Sequence, residues 1–256
     1  MLEAQGLAKI YHGMPAVQDV SFSVKPFEVL GYLGPNGSGK TTTAKMLTGL
    51  LQPSRGHVLF DGKSIHSDLV AFRKRLGYVP EEPYLYPYLT GREYLQLVGR
   101  LRCLTQPALD KKIDDLLALF SLQRDRHTAL SSYSKGMRQK VLIAAALLHN
   151  PDVLIFDEPL SGLDVTSALI FRNLIKSLAL EGKIILYSSH VLEVVEKVCS
   201  EVVILHKGRL VAHDSVERLR DLMKLPSLEQ IFSQLVLEQD TEKVAHDIVD
   251  VMKAPA

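Results

Sequence analysis

The chain has 256 residues, of which 46% are hydrophobic, and its 30 basic and 29 acidic side chains leave a formal net charge of +1. This length is enough to bury the core of one large α/β domain and to carry a small appendage. The near-neutral charge, without a basic run or a basic stripe interleaved with aromatic residues, argues against nucleic acid as a partner.

Neither a targeting signal nor a membrane span is predicted. The first ten residues alternate as a strand does and lack the apolar core of a signal peptide. The longest apolar stretch, Val141 to Leu148, is far shorter than the ~20 residues of a bilayer-spanning helix. Cys103 and Cys199 lie far apart without metal-ligand spacing, as is typical of reduced thiols in a cytosolic protein. We therefore expect a soluble chain with no direct membrane insertion, which reaches a membrane only through a partner.

The first 65 residues are rich in predicted β-structure. Strand patterns cover 2–11, 19–24 and 28–33, and a fourth at 57–60 runs into Asp61-Gly62, a dipeptide typical of tight hairpins. This is more β-structure than a simple α/β unit needs.

Between the third strand and a helical pattern at 42–51 lies a complete phosphate-binding loop. It reads Gly34-Pro35-Asn36-Gly37-Ser38-Gly39-Lys40-Thr41. The glycines let successive N–H groups converge on phosphate oxygens, and the following helix adds its positive end. Lys40 is predicted to reach the β- and γ-phosphates, and Thr41 to offer its hydroxyl to Mg²⁺. The chain is therefore predicted to bind a nucleoside triphosphate.

A short strand at 76–79 precedes a region of helical periodicity that extends to residue 150. Thr90 can cap a helix that runs to about Cys103, and Pro107 can start a second helix. A third, from Lys135 to His149, is apolar nearly all round from Val141 onward, which predicts burial on several sides.

The rest of the chain alternates between strand and helix patterns. Strands are predicted at 153–156, 184–187 and 202–205, and helices at 167–180 and 191–199. This alternation predicts a parallel sheet with right-handed crossovers. A hairpin around Lys207-Gly208 follows. Pro226 marks a boundary, and the segment at 228–253 has the pattern of a small, mostly helical tail.

The strand at 153–156 ends in two carboxylates, Asp157 and Glu158. Ligands of a parallel sheet lie beyond the carboxyl ends of its strands, so both acids are expected to face the phosphate site. Asp157 is placed to hold Mg²⁺ through its water shell, and Glu158 to orient and deprotonate the attacking water.

These motifs resemble, in order, those of the ATP-binding-cassette (ABC) ATPases over residues 2–220. The resemblance implies an α/β fold with a P-loop NTPase (RecA-like) parallel-sheet core, an N-terminal antiparallel β-subdomain and an inserted helical subdomain at about 82–150. The ATPase domain is expected to cover 1–220 and a helical tail 221–256, with ATP and Mg²⁺ as ligands. The implied nucleotide-binding residues are Tyr11, Gly34, Pro35, Asn36, Gly37, Ser38, Gly39, Lys40, Thr41 and Thr42.

Further roles are implied only by this resemblance. Tyr11 matches the aromatic residue that stacks on adenine, although a strand-end tyrosine can also pack on the core. His190 matches the switch histidine, which donates to the γ-phosphate. The implied catalytic residues are Glu158, His190, Lys40 and Glu81, and the implied metal ligands are Thr41, Glu81 and Asp157.

The family's signature, usually Leu-Ser-Gly-Gly-Gln, corresponds to Tyr133-Ser134-Lys135-Gly136-Met137. Ser134 and Gly136 open a buried helix, so a hydroxyl and free N–H groups face outward at its positive end. The resemblance implies that they bind the ATP of a second copy in a head-to-tail dimer. An ordinary capped helix is the alternative. The loop that contacts the opposite subunit corresponds to Ser161, Gly162, Leu163 and Asp164.

The sequence departs from the family's pattern at positions that include 81, 135 and 137. Glu81 replaces a usual glutamine, and its carboxylate can still coordinate Mg²⁺. Glu82 follows, so either carboxylate could face the metal. Lys135 and Met137 replace a glycine and a glutamine of the signature, whereas Ser134 and Gly136 are retained, so catalytic competence is expected.

Three segments resemble those of the ATPase subunits of bacterial two-component (ABC-2) exporters. They are Pro80-Glu81-Glu82, the signature at 133–137 and the stretch at 227–232. The resemblance implies a separate integral-membrane permease as partner and a location on the cytoplasmic face of the membrane. The exposed aromatic stretch at 83–88 suits a docking surface or a loop that packs on its own domain. A soluble ABC ATPase that acts on DNA or ribosomes is a second hypothesis, and a GTPase or small-molecule kinase is a third.

Overall fold

The computed structural model describes residues 1–82, 84–225 and 227–236, so Pro83, Pro226 and the tail predicted beyond 236 lie outside the described residues. The elements, in chain order, are β1 (Leu2–Tyr11), β2 (Met14–Val24), β3 (Val29–Leu33), α1 (Lys40–Leu47), β4 (Arg55–Phe60), β5 (Lys63–Ser64), α2 (Leu69–Lys74), β6 (Leu76–Val79), α3 (Gly91–Leu101), α4 (Gln106–Leu119), a 3₁₀ turn (Leu130–Ser132), α5 (Lys135–Leu147), β7 (Val153–Asp157), α6 (Val165–Leu180), β8 (Ile184–Ser188), α7 (Leu192–Val198), β9 (Glu201–His206), β10 (Arg209–Ser215), α8 (Val216–Met223) and α9 (Leu228–Val236).

The N-terminal strands form an antiparallel sheet in the order β2-β1-β4-β5. Asp61 and Gly62 both have positive φ, at 50° and 75°, as the predicted hairpin requires. The extra β-structure of the N-terminal region is therefore a separate sheet, and the predicted antiparallel β-subdomain is confirmed.

The second sheet has six strands in the order β10-β9-β3-β8-β7-β6. The strands from β9 to β6 are parallel, and only β10 is antiparallel, through the predicted hairpin with β9. Each residue of β7 and β8 is buried, as expected of strands covered on both faces. The predicted parallel core is therefore confirmed.

Among the described residues, buried apolar side chains form three clusters. One lies between the two sheets, a second packs α6, α7 and α9 against the parallel sheet, and a third joins α3 and α4 to α5. Thr90 caps α3 in a reciprocal pair with Glu93, as its sequence position predicts. Helix α5 carries buried residues of both the second and the third cluster, so it connects the helical region to the sheet.

Several local predictions differ from the structure; helix α1, for example, ends at Leu47 and not at residue 51, and α8 was not predicted. Strand β2 begins at Met14 and not at residue 19, because pairing with β1 extends it across Pro15. Helix α6 begins at Val165, since Asp164 accepts from the Ser167 N–H and so caps it. The six-residue helix α2 was not predicted, because it is too short to show a helical period and buries only Phe72.

Candidate active site

Four neighbouring parallel strands bring the predicted catalytic segments to one edge of the sheet. Strand β3 leads into the phosphate loop, β8 into His190, β7 into Glu158 and β6 into Glu81. The pairing registers place Asp157 beside Ser188 of the next strand. The sheet order therefore assembles segments that lie up to 156 positions apart, from Gly34 to His190.

An open cleft of about 430 Å³ lies beside the phosphate loop. Lys40, Thr41, Glu81 and Glu158 are among the residues that line it. Gly39 has a φ of 103°, and a Cβ there would lie 2.7 Å from the Ala16 carbonyl oxygen, so only glycine fits this turn. The Lys40 Nζ donates to the carbonyl oxygens of Gly34 and Pro35 at 2.7 and 3.2 Å. The ammonium is thus held against the loop that would bind the phosphates.

Asp157 is completely buried, and neither carboxylate oxygen has a hydrogen-bond partner of acceptable geometry among the described residues. Burial raises the pKa of this carboxyl above its ordinary value, and the nearby Ser188 and Thr41 hydroxyls only partly oppose that shift. A buried carboxylate without a partner is a fitting place for a cation. In the described part of the chain, no group of three His, Cys, Asp or Glu is placed to hold a metal ion.

Glu158 stands only 8% exposed, with a φ of 48° that L-residues seldom adopt. Its N–H donates to the Ser188 carbonyl oxygen at 3.0 Å, and its Oε2 lies 2.9 Å from the His190 Nδ1. The Ser189 hydroxyl lies 3.5 Å from the same oxygen. Residues 188–190, at the end of the neighbouring strand β8, therefore hold Glu158 beside the cleft.

The two adjacent glutamates differ in their surroundings. Glu81 lines the cleft, and its Oε2 lies 3.5 Å from the Thr41 hydroxyl, which donates to it. Glu82 instead accepts from the Tyr84 hydroxyl at 2.5 Å and is not among the residues that line the cleft. Of the two carboxylates that the sequence left open, Glu81 is the one beside the phosphate loop.

Tyr11 ends β1 and is not among the residues that line the cleft. Its side chain is 41% exposed, so it does not pack into the core. The Lys9 Nζ lies 5.5 Å from the centre of its ring, within the range of a cation–π contact. The structure thus leaves an aromatic face at the surface near the end of the first strand.

The signature residues do not line the cleft of their own chain. Ser134 and Lys135 are exposed, and the Ser134 hydroxyl accepts from the Met137 N–H at 3.2 Å as an ordinary helix cap. A Cβ on Gly136 would lie 2.4 Å from the carbonyl oxygen of Gly162. The start of α5 is therefore in close contact with the loop at 161–164.

Two further contacts join α5 to this loop, and sequence reasoning missed both. The buried Gln139 side chain donates to the Pro159 carbonyl oxygen at 3.1 Å, and Lys140 forms an ion pair with Asp164 at 3.5 Å. Gln139 precedes Leu142 and Ile143 by three and four positions, so it lies on their apolar helix face. That spacing is the sequence signal that could have identified Gln139.

Within the described ranges, no helix is long and apolar enough to cross a membrane.

Comparison with known proteins identifies the family of the chain. The sequence profile of the ABC transporter family matches residues 17–161. The ABC transporter ATP-binding protein NatA of Bacillus subtilis (strain 168) is 41% identical over 223 residues, which are 86% of this chain and 91% of NatA.

Solved structures extend the likeness to the fold. The structure of an ATP-binding subunit of an ABC transporter matches with a TM-score of 0.86 and 33% identity, over 92% of this chain and 99% of that one. The dimeric structure of MJ0796, a bacterial ABC transporter cassette, matches with a TM-score of 0.78 over 84% of this chain and 98% of that one. At 24% identity, the second likeness shows the fold alone. The chain belongs to the ABC transporter family, as a nucleotide-binding subunit with ATPase activity.

Proposed function

We propose that this ATPase powers a membrane permease as a head-to-tail dimer, with two ATP molecules held between the subunits. The observation that carries the proposal is the separation of two phosphate-binding features within one chain. The cleft holds the phosphate loop, whereas Ser134 and Lys135 are exposed at the start of α5 and do not line it. A second copy would supply the phosphate that this helix start lacks. The dimeric state of the MJ0796 cassette, which shares the fold, is in line with this arrangement.

The cleft residues have separate roles in this proposal. Lys40 and the loop N–H groups bind the phosphates, and Thr41, Asp157 and Glu81 would hold Mg²⁺. The ion, when bound, neutralises charge on the phosphate oxygens. Glu158 orients the attacking water and accepts its proton, and His190 donates to the γ-phosphate. The 2.9 Å contact between Glu158 and His190 supports their joint action, because it joins the His190 ring, which does not itself line the cleft, to a carboxylate that does.

We assign adenine stacking to Tyr11. Its support is an exposed ring at the end of the first strand, which is free to meet a base. Lys9 above the ring is the feature that competes with stacking.

The permease would dock in a groove between β6 and α2 on one side and α3 and α5 on the other. This groove is lined by Leu76 and Tyr78 of the sheet and by Val98, Leu142 and Ala146 of the helices. The exposed Tyr86 ring, 6.5 Å from that of Tyr94 in the groove wall, extends the rim. The ATPase would then sit on the cytoplasmic face of the membrane, with the substrate site in the permease.

Export is the direction we propose, because Pro80-Glu81-Glu82 and the signature at 133–137 resemble those of two-component exporters. We also propose the division into an ATPase domain at 1–220, with its helical insertion at about 82–150, and a tail at 221–256. The packing of α3 and α4 against α5 in one hydrophobic cluster supports the insertion.

The test is an affinity pull-down of the Glu158→Gln variant from solubilised host membranes with Mg²⁺-ATP. We expect a polytopic membrane protein in stoichiometric amount, because the variant retains ATP and with it the closed dimer. Recovery of an ATP-dependent soluble dimer alone would contradict the proposal that the ATPase binds a membrane permease. Association with ribosomes or DNA under the same conditions would favour the cytosolic alternative.

A further inference from the structure

The end of strand β8 places two serines beside the two acids of the cleft. Ser188 is the last residue of β8, and the pairing register sets it directly beside Asp157, the last residue of β7. Side chains alternate between the two faces of a strand, and paired residues of neighbouring strands share a face. Ser188 therefore lies on the same face of the sheet as Asp157, whereas the next residue, Ser189, lies beside Glu158.

The face that Ser188 and Asp157 share is the one that α1 covers. Ile155 and Leu186, two positions earlier in the same two strands, belong to the apolar cluster that also contains residues of α1. Helix α1 follows directly from the phosphate loop. Both polar side chains therefore lie on the α1 side of the sheet, next to that loop.

The serine hydroxyl and the carboxylate lack other partners. Asp157 and Ser188 are 0% and 1% exposed, and neither side chain makes a hydrogen bond of acceptable geometry among the described residues. Burial raises the pKa of the Asp157 carboxyl, and the Ser188 hydroxyl is close enough to lower it in part. The Thr41 hydroxyl has the same effect but already donates to Glu81. A buried donor and a buried acceptor that both lack a partner gain most from a bond to each other.

The hydroxyl of Ser189 serves the other acid. It lies 3.5 Å from the Glu158 Oε2, to which it donates, and it accepts from the Val191 N–H at 3.1 Å. The bond from Val191 fixes the direction of the hydroxyl oxygen, so its proton is left to point at the carboxylate. The two adjacent serines therefore face different acids, one at the proposed metal site and the other at the proposed base.

We infer that Ser188 is a positioning residue for Asp157, whose carboxylate it holds in the orientation that binds Mg²⁺, whereas Ser189 positions only Glu158. This inference rests on the roles that the proposed function gives to the two acids, and it adds the residues that orient them. A hydroxyl that donates to one carboxylate oxygen leaves the other oxygen to face the ion or its waters. Active-site hydrogen bonds of this kind often tighten only in the complex.

The experiment measures how much Mg²⁺ improves the binding of a non-hydrolysable ATP analogue. The quantity is the ratio of two dissociation constants, one in excess EDTA and one in saturating Mg²⁺. Groups that bond to a metal ligand contribute about 10–100-fold to metal affinity, so Ser188→Ala should reduce this ratio by about tenfold or more and leave the constant in EDTA unchanged. Ser189→Ala should keep both constants and lower turnover of Mg²⁺-ATP by about tenfold.

Two further variants control for indirect effects. Ser200→Ala removes a hydroxyl that bonds to the Val29 backbone at the opposite end of β3, so it should change neither the ratio nor turnover. In an Asp157→Asn background, Ser188→Ala should have no further effect on the ratio, because the hydroxyl then has no carboxylate to orient. Melting curves test folding, and Ser188→Cys, with a weak donor, replaces the alanine variant if that one unfolds.

Three outcomes would overturn the inference. They are a wild-type ratio in Ser188→Ala, an equal reduction of the ratio by Ser189→Ala or Ser200→Ala, and an undiminished effect of Ser188→Ala in the Asp157→Asn background. A failure of the proposed function is distinguishable from these. If Mg²⁺ gave the wild-type chain no gain in affinity, or if Asp157→Asn alone kept the full ratio, the metal role of Asp157 itself would be wrong.

Discussion

At the scale of single residues, the Glu158 carboxylate is held in place by more than its own strand. A positive φ of 48° costs a non-glycine residue on the order of 1–2 kcal/mol. The hydrogen bond from its N–H to Ser188 and the contact with His190 offset that cost. Such strained positions persist only where the surroundings determine them, and they concentrate at functional sites.

The role of Glu158 predicts a separation between catalysis and binding. Glu158→Gln keeps the shape of the side chain and removes the base, so turnover should fall by roughly 10²–10⁴ while ATP still binds. Lys40→Ala is the contrasting change and should weaken nucleotide binding itself. Phosphate release and equilibrium titration with ATP measure the two effects. If the Glu158→Gln variant retained turnover, another residue would have to act as the general base, and Glu81 would be the first to test.

The site residues that the sequence predicts are those that belong to a contiguous motif. The loop around Lys40 and the pair Asp157-Glu158 are read from contiguous sequence, and the structure brings them to one sheet edge. The choice between Glu81 and Glu82 could not be read in this way. It depends on the Thr41 hydroxyl and on Tyr84, and sequence spacing does not specify either contact.

At the scale of elements, the close approach of α5 to the loop at 161–164 predicts the effect of adding one methyl group. Gly136→Ala favours the helix by up to about 1 kcal/mol. The new Cβ, however, would lie 2.4 Å from the Gly162 carbonyl oxygen and must displace one element from the other. We expect turnover to fall by about tenfold or more, since displacements near 1 Å can cost ~10² in rate. ATPase assays with melting curves test this, and unchanged turnover would show that the loop yields freely.

The end of α5 gives a prediction about pH. Burial lowers the pKa of His149 from its ordinary 6.5 to about 4, and the Arg102 charge contributes to the shift. The ring is neutral in the folded protein, so this group contributes stability that is present above pH 6.5 and is lost as pH falls toward 4. Partial exposure screens the effect to on the order of 1 kcal/mol.

His149→Gln removes the titrating group and serves as the comparison. The difference in free energy of unfolding between wild type and variant, measured with urea at pH 7.5 and at pH 5, should shift against the wild type at the lower pH. An identical difference at both pH values would mean that the ring takes up a proton equally in the folded and unfolded chains.

Apolar patterns predicted most of the longer elements, as an apolar face in α3 and α4 and as nearly continuous apolar runs in α5, β7 and β8. It failed for α2, which makes only a turn and a half and is held by its Asp68 cap. That omission mattered, since α2 supplies Arg73 to the groove. The groove itself could not be predicted, because its walls come from α2, α3, α5 and β6, which only the tertiary fold brings together.

At the scale of the whole molecule, the groove and the cleft share elements. Leu76 and Tyr78 of β6 line the groove, and Glu81, shortly after the same strand, lines the cleft. Helix α5 begins at the signature and places Leu142 and Ala146 in the groove wall. In the proposed dimer, a partner bound in the groove would therefore contact two elements that also reach a nucleotide, which is a contiguous physical route for coupling.

The head-to-tail dimer predicts that two inactive variants complement each other. Ser134→Asp keeps a good helix cap but sets a negative charge where the partner's γ-phosphate would lie, so it should inactivate the site formed with that partner. Glu158→Gln inactivates the site of its own phosphate loop. In a mixed dimer, the loop of the Ser134→Asp chain meets the intact signature of the other chain, and one of the two sites is whole.

If the two chains are mixed in equal amounts and pair at random as symmetric dimers, about half of all dimers are mixed. One of the two sites in each mixed dimer is whole, so about a quarter of all sites should be intact. Single-turnover phosphate release from the mixture should then approach that fraction of the wild-type amplitude, whereas each variant alone stays inactive. Fluorescence energy transfer between labelled chains checks that mixed dimers form with ATP. Mixed dimers without recovered hydrolysis would contradict the head-to-tail arrangement, because the Ser134→Asp change would then inactivate the phosphate loop of its own chain.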